Sequence, residues 1–596
     1  MTRFGYIKVL WYLLRAHKVH FIVCITLILG NAIIMGGALS TILPILSTFF
    51  SSSGGEGIGE NSFFGKVLSL YSQILPESKY KQIIPLGVLV VLMTVNMAVK
   101  FIIVRVCSGL TFKLTCDCRK AVFHTVQTMK YSTILQYSRG MLTQLLITET
   151  RSIYAVFKQI LSVITTFFNI LTIVILLILL SWKLSMILFL GGLLIICTNL
   201  YIVRSIKKLG RVAFSLRSEL MNKVTEAVWG LKLTKLMSAE KIIAHGLDRV
   251  SRQSEQTARY MAVKQGFQVF VSGNLVLGIV FVVVFFWYYF PIFSEGISGK
   301  EGLIAFLIMA VKLSPHLGTI SREYGTIFVS LPAVMKISEF LSGDTLSEDK
   351  GACKPVPFFE DMICLRNVGF EYVPGKLVLR GVNLEIKKGA YIGIMGRSGG
   401  GKSTMLDLIS RINDPTSGRL IIDGIDFSEI KPSYLRSHIG MVTQDFFLFN
   451  TSIRENLLLA KPSAAEQELF DALEKAGLLG FVNSVEEKLD YHVGNNGEKL
   501  SEGQRQRLCL STIFLRKPEI IILDEGTSAV DRETEEHILA SLRELHYHGK
   551  TIISSSHKES SLNDAERVYW LKDGRLAVLS EKTTSSENKS LNVKYD

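Results

Sequence analysis

Six long apolar segments lie within roughly the first 340 of the 596 residues, and they restrict what this chain can fold into more than any other feature. Each has about 20 residues or more, enough for an α-helix to cross the hydrocarbon core of a bilayer. Six buried core helices in succession would be an unusual alternative. The sequence predicts membrane spans near residues 19–49, 83–106, 153–181, 184–203, 267–293 and 303–341.

The distribution of basic residues predicts how these spans are oriented. An even number of spans returns the chain to its starting side, and loops rich in Lys and Arg stay in the cytosol. Basic residues precede the first span and follow the fourth: Arg3, Lys8, Arg15, Lys18, Arg204, Lys207, Lys208 and Arg211. We therefore expect cytosolic termini and a lipid bilayer as partner. Because anionic headgroups explain this placement, the net charge of +14 predicts no nucleic-acid partner.

Composition predicts four regions along the chain. They are a transmembrane domain over 1–341, a polar linker over 342–355, a cytosolic domain over 356–580 and a polar tail over 581–596. The eight Cys are scattered, so no disulfide framework is expected, and the C-x-C pair Cys116 and Cys118 is not expected to hold a metal. The first apolar run is too long for a cleavable signal peptide.

The cytosolic domain contains a phosphate-binding string, GRSGGGKS, at residues 396–403. It fits G-x-x-x-x-G-K-[ST], in which backbone N–H groups approach phosphate oxygens. Lys402 then places a point charge on the terminal phosphates, and the Ser403 hydroxyl binds Mg²⁺. An apolar strand at 391–395 precedes the loop and a helical pattern at 404–411 follows it, as this motif requires.

Two acidic residues complete the chemistry of a phosphoanhydride-cleaving site. An apolar strand at 520–523 is followed by Asp524, which can hold Mg²⁺ through its water shell, and by Glu525, which can polarise an attacking water. Such a pair alone is common in α/β proteins and is more often structural. The phosphate loop upstream favours the catalytic interpretation.

With these motifs the chain resembles the ATP-binding cassette (ABC) superfamily over essentially its whole length. LSEGQ at 500–504 matches the family signature, and SAVD at 528–531 resembles its D-loop. Tyr372 resembles the aromatic that stacks on adenine, Gln444 the loop glutamine that senses Mg²⁺, and His557 the switch histidine at the γ-phosphate. The resemblance implies ATP and Mg²⁺ as cofactors.

The site residues that this resemblance implies fall into three groups. The catalytic residues are Glu525, His557 and Gln444, and the metal ligands are Ser403, Gln444 and Asp524. The nucleotide-binding residues are Tyr372, Gly396, Arg397, Ser398, Gly399, Gly400, Gly401, Lys402, Ser403, Thr404, Ser501, Gly503 and Gln504. Because Ser501, Gly503 and Gln504 face the phosphate loop of a second copy in this family, the resemblance also implies dimerisation.

The sequence departs from the family pattern at two positions. Glu502 stands where the signature usually has glycine, which puts a carboxylate close to the nucleotide phosphates. Asn495 stands where exporters usually carry Glu, which puts in doubt communication with the membrane domain through that side chain. Since Gln444, Glu525 and His557 are all present, we predict a site that hydrolyses ATP.

The sequence also predicts the structure or position of three segments outside the motifs. Long helical loops of roughly 45 and 60 residues follow the second and fourth spans. In the exporter architecture that this chain resembles, such loops end in coupling helices that press on the ATPase, and we expect these near 132–137 and 229–236. The segment 62–75 has an apolar helical stripe and is predicted to lie outside, packed on the protein or membrane surface or guiding a lipid-linked substrate.

Ionisable residues at membrane depth suggest the cargo. Lys312, His316, Thr319 and Glu323 share one face of the sixth span, at i, i+4, i+7 and i+11. Lys100 and Arg105 lie in the inner half of the second span. Such residues usually face a wet cavity, although helix-end charges that snorkel or pair are the alternative. If Lys100, Arg105, Lys312 and His316 line a cavity, they favour an anionic head such as a lipid phosphate.

The sequence therefore predicts a six-span α-helical membrane bundle fused to an α/β P-loop ATPase, as in a homodimeric ABC exporter of the lipid-flippase kind. We expect it in a bacterial inner membrane, moving an amphipathic, anionic lipid or lipid-linked glycan between leaflets. A drug or peptide exporter is the first alternative, and an ATP-gated channel or regulator the second. An importer is disfavoured because importers usually carry spans and ATPase on separate chains, and a heterodimer stays open.

Overall fold

The computed structural model describes residues 5–42, 44–46, 84–290, 300–342, 359–526 and 532–581. It divides into two compact units, Met1–Gln127 with Tyr137–Thr345, and Thr128–Gln136 with Leu346–Asp596. The predicted exterior helix at 62–75, the D-loop at 528–531 and the polar tail beyond Glu581 lie outside the described residues, as does the linker apart from Ser342.

The described part of the first unit is helical, and its six long apolar helices confirm the predicted spans. Each contains an 18-residue window with a mean hydropathy of 1.7 or more. Shorter helices precede or connect them. In chain order the α-helices are α1 Gly5–Ala16, α2 Lys18–Ser40, α3 Ile84–Thr128, α4 Tyr131–Ile134, α5 Arg139–Gln144, α6 Thr150–Leu180, α7 Trp182–Trp229, α8 Leu231–Leu236, α9 Glu240–Tyr289 and α10 Lys300–Ser342.

Several helices are much longer than a bilayer requires. Helices α3, α7 and α9 have 45, 48 and 50 residues. At 1.5 Å per residue each is about 70 Å long, whereas the hydrocarbon core is about 30 Å thick. Helices α3, α7 and α9 therefore extend beyond the predicted spans 83–106, 184–203 and 267–293, in agreement with the helical pattern predicted for the loops that follow the second and fourth spans.

Polar side chains connect the helices at membrane depth. The Asn96 amide of α3 donates to the Asn31 side-chain oxygen of α2 at 3.3 Å. The Asn199 amide of α7 donates to the Ser272 hydroxyl of α9 at 3.1 Å. The Ser162 hydroxyl of α6 donates to Glu323 of α10 at 3.2 Å. In hydrocarbon such groups need partners within the protein, so these bonds specify which helices pack together.

Both predicted coupling segments contain a short helix. The first, expected at 132–137, is α4 at Tyr131–Ile134, and the second, expected at 229–236, is α8 at Leu231–Leu236. The segment Thr128–Gln136, which includes α4, belongs to the second compact unit. There the Lys130 ammonium forms an ion pair of 2.5 Å with the Asp414 carboxylate, which also accepts from Arg411 at 3.3 Å.

The rest of the second unit contains two sheets. The four-stranded sheet has the order β2-β1-β4-β5 and is antiparallel, and the six-stranded sheet has the order β10-β9-β3-β8-β7-β6. The strands are β1 Met362–Val373, β2 Lys376–Lys387, β3 Tyr391–Gly396, β4 Ser417–Ile422, β5 Ile425–Asp426, β6 Ile439–Val442, β7 Ile520–Asp524, β8 Thr551–Ser556, β9 Arg567–Lys572 and β10 Arg575–Glu581.

Two apolar clusters cover the faces of the six-stranded sheet. Ile392, Ile394 and Ile522 point to the cluster shared with the four-stranded sheet. Leu523 and Ile552 point to the cluster built with the helices of the other face. These helices are α13 Ile453–Ala460, α14 Glu466–Lys475, α15 Leu479–Ser484, α16 Glu502–Arg516 and α17 Arg532–Tyr547, whereas α11 Lys402–Ile409 and α12 Pro432–Ser437 contribute to the first cluster.

Parallel pairing brings the predicted motifs to one edge of this sheet. Strand β8 pairs in parallel with both β3 and β7, and β7 pairs in parallel with β6. The carboxyl ends of these four strands therefore lie at the same edge, where α/β proteins bind ligands. This architecture of α-helical membrane bundle and α/β P-loop domain is the predicted fold class, and it is confirmed.

Candidate functional site

The phosphate loop leaves β3 and enters α11. A Cβ at Gly396 would lie 2.6 Å from the Leu571 carbonyl oxygen, so no larger residue fits there. Gly401, the residue before α11, has φ of +99°, a conformation that favours glycine. The loop can therefore approach an anion closely, and the first N–H groups of α11 point toward it. Gly396, Arg397, Ser398, Gly399, Gly400, Gly401, Lys402, Ser403 and Thr404 form this continuous segment.

Lys402 is buried beneath the loop. Its ammonium donates to the carbonyl oxygens of Gly396 at 2.9 Å and Arg397 at 3.3 Å. Thr404 bonds the Tyr372 hydroxyl at 3.3 Å. The Tyr372 ring is 42% exposed and packs edge-on against Phe370. An exposed aromatic face beside the phosphate loop suits stacking on a nucleotide base.

Asp524 ends β7 and is almost fully buried. It accepts a hydrogen bond of 2.5 Å from the Ser555 hydroxyl of β8. Asp407 of α11 lies close enough to interact with it electrostatically, and burial together with the Asp524 charge raises the pKa of Asp407 to about 6. Asp407 was not predicted to be a site residue, although it lies five residues after Lys402 on the phosphate-loop helix.

Glu525 lies between two other predicted catalytic residues. Its carboxylate accepts from the Gln444 amide at 3.2 Å and contacts the His557 ring nitrogen Nδ1 at 3.3 Å. Its backbone φ is +54°, which is uncommon for a residue with a side chain. Two bonds hold this conformation, from Glu525 N–H to the Ser555 carbonyl and from the Gln506 amide to the Glu525 carbonyl. Strain of this kind concentrates at functional sites.

The signature segment forms the start of α16. The Ser501 hydroxyl accepts from Gln504 N–H at 3.2 Å, and the Gln504 side chain accepts from Ser501 N–H at 2.8 Å. This capping box holds the helix N-terminus open toward an anion. Glu502 is the first helical residue and is exposed, and Gly503 follows it. A carboxylate in the first turn stabilises the helix through its dipole.

The second departure, Asn495, has a partner within the same unit. The Asn450 amide donates to the Asn495 side-chain oxygen at 2.8 Å. Asn450 lies six residues after Gln444, so this bond joins the region before the signature to the region after the loop glutamine. Asn495 acts only as an acceptor in this bond, a role that a Glu carboxylate at this position could also fill.

The oxygen donors of the site suit Mg²⁺. Ser403 offers a hydroxyl, Asp524 a carboxylate, and Gln444 the amide oxygen that its bond to Glu525 does not use. Mg²⁺ prefers such hard ligands together with water and substrate phosphates. Bound there, it would neutralise phosphate charge. The described residues form no cluster of three His, Cys, Asp or Glu that could hold a metal without a nucleotide.

The first unit contains a cavity of about 390 Å³ between α3 and α6. Its wall combines two lysines with hydroxyl and apolar side chains: Lys100, Ile103, Val104, Cys107, Ser108, Thr111, Tyr154, Lys158, Leu161, Ser162, Thr165 and Thr166. Lys158 was not predicted to line a cavity, although it is an ionisable residue inside a predicted span, which is the reason that Lys100 was predicted to do so. Two ammonium groups on an otherwise mostly apolar wall can hold an amphipathic anion.

The other predicted cavity residues, Arg105, Lys312 and His316, differ in their surroundings. His316 lies close enough to Lys100 and Lys312 to interact with both charges. Arg105 is exposed and lies one residue beyond Val104, about 100° further round α3. We therefore keep Lys100, Lys312 and His316 as candidate cargo residues, and the structure gives no support to Arg105. Glu323 adds a negative charge through its bond with Ser162.

Together these features define a membrane protein with a nucleotide-binding P-loop domain. Two family models match the chain: the ABC transporter transmembrane region over residues 24–311 and the ABC transporter domain over residues 379–528. The chain belongs to the ABC transporter family and is an integral membrane protein.

Relatives and a solved structure agree with this assignment. The chain is 31% identical over 379 residues to the mitochondrial potassium channel ATP-binding subunit of Xenopus tropicalis, covering 62% of this chain and 54% of that one. It is 31% identical over 364 residues to the ATP-dependent lipid A-core flippase of Neisseria meningitidis, covering 60% and 56%. These matches span little more than half the length of either relative. A bacterial Atm1-family ABC exporter with ATP bound has the same fold, with a TM-score of 0.78, 22% identity and coverage of 95% of this chain and 94% of that one.

The first prediction concerns Glu525. Glu525→Gln should bind ATP but lose hydrolysis by about 100-fold or more, because the carboxylate that orients water is gone while Lys402 remains. The measurement is ATP turnover together with nucleotide affinity. Lys402→Ala is the contrast and should weaken ATP binding itself. Turnover near the wild-type rate in Glu525→Gln would remove Glu525 from the catalytic role.

The second prediction concerns Glu502. If its carboxylate opposes phosphate across a dimer, Glu502→Gly should raise ATP turnover or tighten the ATP-bound dimer, because a like charge is removed. Glu502→Gln is the matched control, since it removes the charge but keeps a side chain that favours the helix. The two variants should therefore change in the same direction. Unchanged turnover in both would show that the carboxylate points away from the phosphates.

The third prediction concerns pH. In the folded protein Asp407 keeps its proton up to about pH 6, whereas in the unfolded chain it ionises near pH 4. Asp407 therefore lowers the free energy of unfolding progressively between about pH 4 and pH 6, and by its full amount above pH 6. Asp407→Asn should therefore raise the unfolding temperature at pH 7.5 and change it little near pH 4. Asp490→Asn is the control of opposite sign, because an Arg454 hydrogen bond lowers the pKa of Asp490. Equal effects of Asp407→Asn at both pH values would contradict the argument.

Proposed function

We propose that two copies of this chain form an ATP-driven exporter that moves an amphipathic, anionic lipid or lipid-linked glycan from the inner to the outer leaflet. The observation that carries the ATP-driven part is the position of Glu525, held between Gln444 and His557 at the edge that also holds the phosphate loop. The lysines of the membrane cavity support the anionic cargo.

The residues of the site divide the work of hydrolysis. Lys402 and the loop N–H groups bind the phosphates, and Tyr372 binds the base. Glu525 orients and polarises the attacking water, while Gln444 and His557 fix its carboxylate. This arrangement supplies positioning and charge stabilisation, the two contributions on which phosphoryl transfer depends.

Two exposed surfaces support a second copy as partner. Ser501 and Glu502 present the N-terminus of α16 to solvent, and in this family that terminus closes on the phosphate loop of another ATPase domain. Near α8, Trp229 is 75% and Leu236 74% exposed, an unusual amount of apolar surface for a segment outside the lipid. Closure driven by ATP requires that the closed dimer bind nucleotide more tightly than the open one.

The cavity between α3 and α6 supports an amphipathic anion as cargo. Lys100 and Lys158 enter it from two different helices, so a phosphate can contact both. Ile103, Val104 and Leu161 provide apolar wall for an acyl or prenyl chain. An uncharged drug would make no use of the two ammonium groups, whereas a phosphate can contact both. This balance favours the anionic lipid over the drug or peptide alternative.

The alternative of an ATP-gated channel or regulator is less well supported. Such a protein needs only ATP binding, whereas Gln444, Glu525 and His557 together form a site suited to cleavage. We further propose a bacterial inner membrane, with the ATPase domain and both termini in the cytosol, from the basic residues that follow the fourth span.

The experiment that tests the proposed function uses the purified chain alone in liposomes. ATP turnover is measured with candidate lipids, lipid-linked glycans, drugs and peptides, and transfer of each between leaflets is followed in parallel. The proposal expects an ATP-hydrolysing dimer that an anionic lipid stimulates. Absence of hydrolysis by the pure chain would contradict the homodimeric exporter, and stimulation by uncharged drugs alone would favour the alternative cargo.

The fourth prediction concerns the cationic residues of the membrane region. In phosphatidylcholine liposomes, phosphatidic acid should raise the ATP turnover of the wild type above its basal rate. In the double variant Lys312→Ala with His316→Ala, the ratio of stimulated to basal turnover should fall, because two polar groups near Lys100 that help to attract the phosphate are removed. Lys158→Ala should lower the same ratio.

The matched control for this prediction is Arg105→Ala, which removes a charge from another face of α3. It should keep the stimulation of the wild type. If stimulation survives both in the well-folded double variant and in Lys158→Ala, the anionic cavity is wrong and the drug or peptide cargo becomes the better proposal.

A further inference from the structure

Two cysteines from different membrane helices contact each other beside the cavity between α3 and α6. The thiols of Cys24 on α2 and Cys107 on α3 form a side-chain hydrogen bond. Both are free cysteines, and Cys24 is buried whereas Cys107 is partly exposed. Cys107 also lines the cavity. The pair therefore combines a buried thiol with a reachable one, and their sulfur atoms are already neighbours.

Polar contacts on either side of this pair hold α2 and α3 in register. Toward one end, the Asn96 amide of α3 donates to the Asn31 side-chain oxygen of α2 at 3.3 Å. Toward the other end, His20 of α2 contacts the Lys113 ammonium of α3 at 3.0 Å. Along each helix the cysteine lies between these two contacts. Because residue numbers fall along α2 as they rise along α3, the helices run antiparallel, and this register brings the two thiols together.

Access through the cavity distinguishes this pair from cysteines that only fill space. A buried free cysteine usually acts as a small apolar side chain. Here a cavity of about 390 Å³ reaches Cys107, and the second thiol is in contact with the first. Hydrogen peroxide is small and uncharged, so it can enter such a cavity. An accessible thiol next to a second one that can resolve it is the arrangement of reversible cysteine oxidation.

We propose that Cys24 and Cys107 are a site of reversible oxidation, at which a hydroperoxide converts the two thiols to a disulfide that joins α2 to α3. With hydrogen peroxide, one thiol becomes a sulfenic acid as the O–O bond breaks and one water leaves. The other sulfur then attacks the sulfenic sulfur, so the S–S bond forms and the S–O bond breaks with loss of a second water. The thiols give up two electrons and two protons, and both peroxide oxygens end as water.

The disulfide ties the wall of the cavity to a neighbouring helix. Lys100 lies seven residues before Cys107 on α3, which puts both side chains on nearly the same face, and both line the cavity. A covalent link from this wall to α2 restricts any rearrangement of the cavity that accompanies ATP-driven closure. Oxidation should therefore slow ATP turnover that an anionic lipid stimulates. Nucleotide affinity should not change, because the nucleotide-binding residues belong to the other compact unit.

The test treats the purified full-length chain in liposomes with hydrogen peroxide and maps its disulfides by mass spectrometry without reduction. The expected product is an intramolecular bond between Cys24 and Cys107 that dithiothreitol removes. ATP turnover in the presence of phosphatidic acid should fall as the bond forms, by about fivefold, the lower end of the coupling that a second site usually exerts. It should recover when the bond is reduced.

Serine variants connect the loss of turnover to this bond. Cys24→Ser and Cys107→Ser should each keep their own untreated turnover in peroxide. Cys116→Ser is the matched control, since Cys116 is also partly buried on α3 but lies nine residues from Cys107, on the opposite face of the helix. This variant should lose turnover in peroxide as the wild type does.

Three results would overturn the proposal. The first is that no bond joins Cys24 to Cys107 after a treatment that oxidises other cysteines of the chain. The second is unchanged turnover in fully cross-linked protein. The third is a loss of turnover in peroxide that persists in Cys107→Ser.

This proposal and the proposed function fail separately, because mapping a disulfide requires no hydrolysis. An active wild type in which the bond does not form overturns the oxidation site alone. A mapped bond between Cys24 and Cys107 in a chain that does not hydrolyse ATP overturns the exporter and leaves the modification site.

Discussion

The parallel pairing of β3, β8, β7 and β6 is the constraint on which the nucleotide site depends. In a parallel ladder every strand ends at the same edge, so residues from positions 396 to 557 meet without long loops. Asp524 ends one of these strands, and the phosphate loop, Gln444, Glu525 and His557 each follow one. A shift of one register position in β7 would move Asp524 off Ser555 and turn its side chain to the other face. Sheet register thus fixes the catalytic geometry.

Sequence reasoning reached the motifs and the spans for physical reasons. Phosphate binding requires glycine at positions 396 and 401, because a Cβ would collide or strain the backbone there. This requirement can therefore be recognised in the sequence. Hydrocarbon requires apolar side chains, so composition marks the six spans. Neither requirement concerns a helix after it has left the lipid, so the parts of α3, α7 and α9 beyond the apolar spans had to be predicted from the helical pattern of the loops.

Other features depend on contacts between distant residues and leave no local pattern. Lys158 is a lysine in a predicted span, but its neighbour across the cavity, Lys100, is 58 positions away in sequence. Arg105 was also predicted to line a cavity, but it does not belong to the wall of the cavity between α3 and α6. Hydropathy indicates how deep a residue lies in the membrane, whereas helix packing decides whether its side chain faces a cavity.

The assignment of Thr128–Gln136 to the ATPase unit has a consequence for dissection of the chain. This segment is separated from the rest of its unit by about two hundred residues, and Met129 within it is only 2% exposed. An ATPase domain expressed from the linker onward would lack it. The apolar surface that Met129 covers would then meet water, and Asp414 would lose Lys130 while keeping Arg411. We therefore expect the solubility and acid sensitivity of the isolated domain to reflect the loss of this segment as well as the properties of the domain itself.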